Sequence, residues 1–484
     1  MKRDLTQITP DTLTALDAAL PPGTLAETTP AYLEEPRGIA TGTARHVVRP
    51  ATTQEVQTIV RLAGTHGFGL VPYGGGTGLV GGQVSVEDPA PLILSLERMT
   101  RILDVSPDDN VLVAEAGAIL GDIQSAAAEA GRLFPLTLAS EGSCRIGGNL
   151  STNAGGTNVL RYGNARDLCL GVEAVLPDGT IWNGLKRLRK DNTGYDLRDL
   201  LIGAEGTLGV ITKAALKLFP APERFATALV GLRDPAAAIA LLNAAQARFG
   251  EQVSAFELIH RHGFDFIAET MPDTRLPWGD PPEWMALIDL GFGAQALKGD
   301  DGGDGLEDFL AEAFEAGHIT DALIAQNAAQ RQDFWTVRET IPLANRKIGA
   351  VYSHDIAVPV SRIPEMIAQG RARVAAIGPL RVNCFGHVGD GNLHFNIYPP
   401  KGAVKADWVH LKDEIKTAIY DLVYELGGSM SAEHGIGRFK LDDLVRYEDP
   451  AKLGAMRAIK AALDPLGIMN PGATVPEVLG SGRD

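Results

Sequence analysis

A chain of 484 residues is long enough for two or three packed units with buried cores. Lys and Arg number 44 against 60 Asp and Glu, and the formal net charge of -16 argues against nonspecific nucleic-acid binding and adhesion to an anionic membrane. Three cysteines, Cys144, Cys169 and Cys384, form no CxxC pair, the start lacks an apolar signal core, and no stretch approaches the roughly 18 apolar residues of a membrane span. These features predict a soluble cytoplasmic protein with reduced thiols and no cysteine-ligated zinc.

Residues 1–35 read as a short amphipathic helix and a proline-interrupted lead. The run HVVRPATTQEVQTIVRLAGTHGFGLVPYGGGTG then predicts strand, helix, strand and glycine loop. Thr52 or Thr53 caps the helix, whose apolar face is Val56, Ile59, Val60 and Ala63. Gly74, Gly75, Gly76, Thr77 and Gly78 follow the strand directly, the arrangement of a backbone nest that holds pyrophosphate. The same loop contains a formal GxGxxG (Gly76, Gly78, Gly81), with the acidic Glu97 some distance on. Residues 82–96 carry two prolines and no helical period, so the helix that a dinucleotide fingerprint needs is missing.

A second glycine cluster, residues 135–167, is too polar and glycine-rich for a helix and too long for an idle loop, which makes it a binding-loop candidate. LGVEAVLPDGTIWNG predicts a hairpin on Asp178-Gly179. A helix, a glycine turn at 203–209 and a strand close the unit. Several loops separated by regular elements suit one elongated cofactor. Beyond residue 221 the pattern changes to amphipathic helices (DPAAAIALLNAAQARFG, DGLEDFLAEAFEAG) alternating with strands (ELIHR, MALIDLGF), an α+β arrangement. The acidic run at 299–305 reads as a solvated loop whose spacing is not that of an EF-hand. Arg338 falls on a helix that Pro342 is expected to stop or kink.

Residues 385–396, FGHVGDGNLHFN, set two histidines around a sharp turn at Asp390-Gly391. Alternation along the second strand turns His394, Asn396 and Tyr398 to one face and Leu393, Phe395 and Ile397 to the other. A helix carrying Trp408, Leu411, Ile415, Ile419, Leu422 and Leu426 is stopped by Gly427-Gly428 and delivers SAEHGIG as a loop. His387, His394 and Glu433 together would make an open metal site, suited to Zn²⁺ although the ligand types also admit Mn²⁺, Fe²⁺ or Co²⁺. The bland alternative is a buried, hydrogen-bonded His/Glu cluster.

PYGGGTG, IGGNLSTNAGG, RYG and IGAEGTLGVIT resemble the flavin-binding domain of the vanillyl-alcohol-oxidase/p-cresol-methylhydroxylase superfamily. HVGDGNLHFN, RKDNTGYDL and SAEHGIG resemble its D-2-hydroxy-acid dehydrogenase branch, the D-2-hydroxyglutarate dehydrogenases in particular. The resemblance spans roughly residues 36–476. It implies an α+β protein: a lead (1–35), a two-lobed FAD-binding domain (36–221), an α+β substrate or cap domain with an antiparallel sheet (222–425), and a C-terminal segment completing the active site and packing on the FAD domain (426–484). FAD would be held by Pro72, Gly74, Gly75, Gly76, Thr77, Gly78, Gly147, Gly148, Asn149, Thr152 and Asn153. Glu205 and Ile211 would lie along the adenosine, and Lys440 and Asn470 near the flavin ring. Members with flavin attached through histidine carry that residue where this chain has Thr77, so noncovalent FAD is expected.

Under the same resemblance a divalent ion on His387, His394 and Glu433 lowers the pKa of the substrate hydroxyl. His434 is the general base and FAD N5 takes the hydride. Arg338 clamps a carboxylate, and Asn396 and Ser353 line the substrate site. Related D-2-hydroxyglutarate dehydrogenases carry a hydroxyl residue and a lysine where this chain has Pro342 and Ser353. That departure weakens the case for a diacid, with His354 or Arg346 as the candidates for compensation. D-lactate or another 2-hydroxy acid is the next substrate. A metal-independent flavin alcohol or sugar oxidase and a non-enzymatic flavin- or anion-binding protein are the alternatives in other classes. The implied acceptor is an electron-transfer flavoprotein or quinone, and a homodimer is expected.

Overall fold

The computed structural model describes residues 4–293 and 305–477, so the acidic run at 299–305 lies, save for Gly305, outside the described residues. The chain forms two compact units. One comprises residues 1–155, 164–220 and 433–484; the other comprises 156–163 and 221–432.

The first unit contains a four-stranded and a five-stranded sheet. In the smaller sheet the order is Leu25–Glu27, His46–Val48, Leu92–Ser95, Leu70–Tyr73, and the last three strands are parallel. Parallel neighbours need a crossover, which the helix Thr53–His66 supplies between His46–Val48 and Leu70–Tyr73. Thr52 Oγ1 accepts the Glu55 N–H at 3.2 Å, and the Glu55 carboxylate accepts the Ala51 N–H, a reciprocal cap. Val56, Ile59, Val60 and Ala63 are buried, and Gly67 ends the helix at φ +80°. Leu70–Tyr73 then delivers the first glycine loop. No helix follows it: the next regular element is the strand Leu92–Ser95.

The five-stranded sheet is antiparallel, in the order Ile102–Ser106, Val111–Glu115, Val210–Lys217, Cys169–Val175, Ile181–Asn183. Its last pair is the hairpin expected at Asp178-Gly179, with Gly179 at φ +79°. The second glycine cluster differs from expectation, because it contains two short helices, Ile146–Ser151 and Val159–Tyr162. Tertiary packing overrides glycine's poor propensity here. Ile146 and Leu150 are fully buried, a Cβ on Gly147 would lie 2.7 Å from Ala116 Cβ, and Ser151 Oγ donates back to Gly147 O.

Glu173 joins the two sheets of this unit. Its carboxylate accepts from Thr53 of the crossover helix at 2.6 Å and from Thr212 at 2.8 Å, and it pairs with Lys213 at 3.0 Å.

The second unit is a seven-stranded antiparallel sheet in the order Ile319–Ile324, Arg224–Leu232, Trp284–Phe292, Val253–His260, Arg381–His387, Asn392–Tyr398, Tyr352–Ala357. Helices cover both faces of its hairpin. Phe385 and Tyr398 pack with Phe266, Ile267, Ile341 and Ala344 from Arg261–Thr270 and Ala328–Ile348. Phe395 points the other way, against Gly370 of Ile363–Ile377. Pro342 does not stop its helix, which runs on to Ile348. An internal proline costs about 3 kcal/mol. Burial of Val337, Ile341, Ala344 and Asn345 on the same helix outweighs that. The later helix begins at Lys412, with Trp408 and Leu411 in a preceding 3₁₀ turn.

Burial opposes ionisation of Glu173, and hydrogen bonds from Thr53, Thr212 and Lys213 outweigh it, holding the carboxyl below its ordinary value. A depressed folded-state pKa confers stability that is complete above the unfolded value of about 4.3 and is lost as pH falls through the folded value. Glu173→Gln should therefore cost about 1–3 kcal/mol at pH 7. The gap between variant and wild type should narrow as pH falls below about 4.3 and close once pH has passed the lower folded-state value. Urea unfolding at a series of pH values checks this; a pH-independent gap contradicts it.

Candidate functional site

In the first unit the glycine loops border a cleft with about 850 Å³ of empty space. Pro72, Gly74, Gly75, Gly76, Thr77 and Gly78 line it, as do Gly147, Gly148, Asn149, Thr152, Glu205, Ile211 and His434. The glycines are required by contact. A Cβ on Gly74 would lie 3.3 Å from Gly148 Cα, and one on Gly75 would strike Ser143 O and sit 2.9 Å from Cys144 Cα. None of the five backbone N–H groups at 74–78 donates a hydrogen bond among the described residues. Gln83 Nε2 meanwhile binds the carbonyls of Gly76 and Gly78. Asn149 is 5% exposed, and its Oδ1 finds no partner among the described residues. Unpaired donors and a buried orphan acceptor are expected where a polar ligand completes the structure.

Glu205 does more than line the cleft. Its buried carboxylate accepts the N–H groups of Ile436 and Gly437, both at 2.9 Å, and so fixes the loop that carries Glu433 and His434. Burial pushes the Glu205 carboxyl up, against the pull of those two bonds. Asn470 lies outside the cleft lining and braces it instead. Its Nδ2 donates to Glu205 O at 2.7 Å and Gly82 O at 3.0 Å, and its Oδ1 accepts from Arg438, which also binds Gly81 O and Gly82 O. Lys440 is buried outside the lining, and Asn153 accepts the Arg166 N–H. The Glu433 carboxylate packs on Gly155, where a Cβ would come within 2.5 Å of its Oε1.

In the second unit the hairpin pairs Arg381–His387 with Asn392–Tyr398, with Gly391 in the turn at φ +87°. The His387 and His394 rings are 5.6 Å apart. His387 Nδ1 bonds Glu257 Oε1 at 2.7 Å, and the other Glu257 oxygen accepts Arg338 Nε at 2.8 Å and Nη2 at 2.7 Å. Burial alone would raise the Glu257 carboxyl; the charges of His387 and Arg338 overcome it and hold the pKa at about 2. The Arg338 guanidinium also lies over Phe385, 4.9 Å from its centroid. His394 Nδ1 is 3.7 Å from Asp355 Oδ1.

Register sorts the other candidates. Ser353 pairs with Asn396 and Asp355 with His394, so these four share a face. His354 points to the opposite face, bonds Phe395 O through Nδ1 and packs on Tyr352 and Tyr420, so it cannot stand in for a missing cation beside Ser353. Ser353 and Arg346 are exposed; Asn396 is buried. After Gly427 the chain returns beside Tyr352–Ala357. Ser429 exchanges backbone hydrogen bonds with Ala357, and Ala432 N–H donates to Asp355 O one residue before Glu433. Sequence alone missed Glu257, Asp355, Gln83 and Arg438. The period-two strand pattern was the only signal available for the first two.

The chain carries both domains of the FAD-linked oxidases, with the glycine-lined cleft in the first unit. Residues 44–184 match the family described as FAD binding domain, and residues 221–474 match FAD linked oxidases, C-terminal domain. The chain is 38% identical over 440 residues to a probable mitochondrial D-2-hydroxyglutarate dehydrogenase of Oryza sativa subsp. indica, covering 90% of this chain and 76% of that one. It is 37% identical over 482 residues to the mitochondrial D-2-hydroxyglutarate dehydrogenase of Bos taurus, covering 97% and 84%. In fold it is similar to p-cresol methylhydroxylase with substrate bound, at a TM-score of 0.78 and 16% identity over 99% of both chains. The chain belongs to the FAD-dependent 2-hydroxy-acid dehydrogenases, oxidoreductases acting on CH–OH.

Gly75→Ala should fold yet retain less than about a tenth of the wild-type flavin, because its methyl meets backbone that cannot yield. The ratio of flavin to protein absorbance in the purified variant measures this. Full occupancy would contradict the tight approach of the loops.

Proposed function

We propose that the chain oxidises D-2-hydroxyglutarate to its 2-oxo acid with metal assistance, using noncovalently held FAD. The observation that carries the chemistry is the His387–His394 pair, with the Nδ1 of His387 committed to Glu257. A histidine so held presents its other nitrogen to a ligand. The choice of substrate is supported by relatives that match most of this chain and are themselves D-2-hydroxyglutarate dehydrogenases.

When bound, FAD supplies the acceptor at N5 for the hydride leaving C2. When bound at His387, His394 and Glu433, a divalent ion, Zn²⁺ first by ligand type, supplies positive charge that lowers the pKa of the substrate hydroxyl. His434 takes the hydroxyl proton; it lines the cleft on a loop that Glu205 holds in place. Arg338 faces the substrate carboxylate, and Asn396 and Ser353 meet the rest of the molecule. The free N–H groups at 74–78 hold the pyrophosphate, and Thr77 stands where a flavin-linking histidine would.

A second substrate, D-lactate or another 2-hydroxy acid without a far carboxylate, is favoured by two residues. Pro342 offers no donor, and Ser353 is a neutral, exposed side chain on the edge strand. A metal-independent alcohol or sugar oxidase is the competing chemistry. The acceptor is an electron-transfer flavoprotein or a quinone. No helix among the described residues is long and apolar enough to cross a membrane. We further propose a cytoplasmic homodimer; size-exclusion chromatography at the monomer mass would count against the dimer.

Anaerobic mixing with D-2-hydroxyglutarate or D-lactate should bleach the flavin, and the faster acid names the substrate. Glu433→Ala, or a chelator, should slow bleaching on the order of 10³-fold while flavin stays bound. Unchanged reduction would remove the metal from the reaction, and rapid peroxide formation in air would favour the oxidase. Acid precipitation should release all the flavin into the supernatant; flavin retained in the pellet would refute noncovalent binding.

A further inference from the structure

We infer that Glu257 is a positioning residue that orients a metal ligand and the substrate arginine together, one with each carboxylate oxygen. The inference rests on the metal site proposed above. Its geometry lies within one sheet. Glu257 on Val253–His260 is the register partner of His387 on Arg381–His387, so the two side chains leave the sheet side by side. Oε1 takes His387 Nδ1 at 2.7 Å, and Oε2 takes both Nε and Nη2 of Arg338. Glu257 is fully buried, and Arg338 and His387 are only 5% and 6% exposed. Bulk water therefore neither screens nor replaces these bonds.

An ionised carboxylate can only accept, so Nδ1 of His387 carries a proton, and when the ring is neutral Nε2 keeps its lone pair. That is the tautomer a metal ligand requires. The arginine is fixed at the same moment through two donors on one oxygen.

The substitution Glu257→Gln separates this role from simple charge neutralisation. With its oxygen toward the two Arg338 donors, the introduced amide would turn its NH₂ to His387 Nδ1 and force the proton onto Nε2, where it blocks ligation. With the opposite orientation, its NH₂ would confront the guanidinium. Asp289 is the natural control: it holds Arg331 through Nε and Nη2 in the same sheet, with Thr227 as its other partner in place of a histidine.

Flavin-loaded wild type and the Glu257→Gln, Arg338→Gln and Asp289→Asn variants would be stripped with a chelator and titrated with Zn²⁺ against a chromophoric chelator. KM and kcat would be measured on the reloaded enzymes. Glu257→Gln should weaken Zn²⁺ binding by about 10–100-fold with flavin content unchanged. Arg338→Gln should keep Zn²⁺ affinity within about threefold and raise KM by about tenfold or more. Asp289→Asn should lower thermal stability and leave Zn²⁺ affinity alone. Zn²⁺ affinity within about threefold of wild type in Glu257→Gln, or an equal loss in Arg338→Gln, overturns the positioning role while the metal site stands. Wild type that takes up no stoichiometric Zn²⁺, or His387→Ala that binds it as well as wild type, overturns the metal site and this inference with it. If Glu257→Gln does not fold, Glu257→Asp decides. It keeps the charge but is one methylene too short to hold both partners, so Zn²⁺ binding or KM must worsen by about tenfold, and neither changing refutes the role.

Discussion

The first unit depends on a carboxylate buried where it is least welcome. Desolvation favours the neutral form of Glu205, yet its two oxygens accept the backbone N–H groups of Ile436 and Gly437, and its own carbonyl is held by Asn470. Replacing it with an apolar residue would orphan two N–H groups at once. Through Asn470 the tie continues to Gly82 and Arg438, and from Arg438 to Gly81. The cleft wall, the end of the first glycine loop and the approach to His434 are therefore one hydrogen-bonded object. A local change in any of them is felt in all three.

Much of this architecture was legible because it is periodic. The helix Thr53–His66 declared itself through its cap and its 3.6-residue apolar stripe, the strand Leu70–Tyr73 through its position before the glycines, and the hairpin through Asp390-Gly391 and its alternation. Two local rules failed where burial outweighed propensity. Glycine-rich Ile146–Ser151 coils because Ile146 and Leu150 have somewhere to go, and Pro342 is carried inside a helix anchored on both sides of it.

Long-range polar partners were invisible for a different reason. Glu257 sits in a strand that reads only as apolar alternation, and its partners lie 81 and 130 residues away. Nothing local marks such a residue. Only the order of strands in the sheet, which no residue spacing encodes, sets it beside His387. The same pairing logic removed His354, one position out of phase with Ser353 and Asp355.

The order of those strands also separates what can change from what cannot. His387 and His394 occupy inner strands, and His387 is buried on Glu257, so a substitution at His387 leaves a buried carboxylate short of a partner. Ser353 belongs to the outermost strand and is exposed. Replacing it disturbs little packing, since surface substitutions are usually within about 0.5 kcal/mol. Change is therefore cheap at the hem of this sheet and costly in its weave.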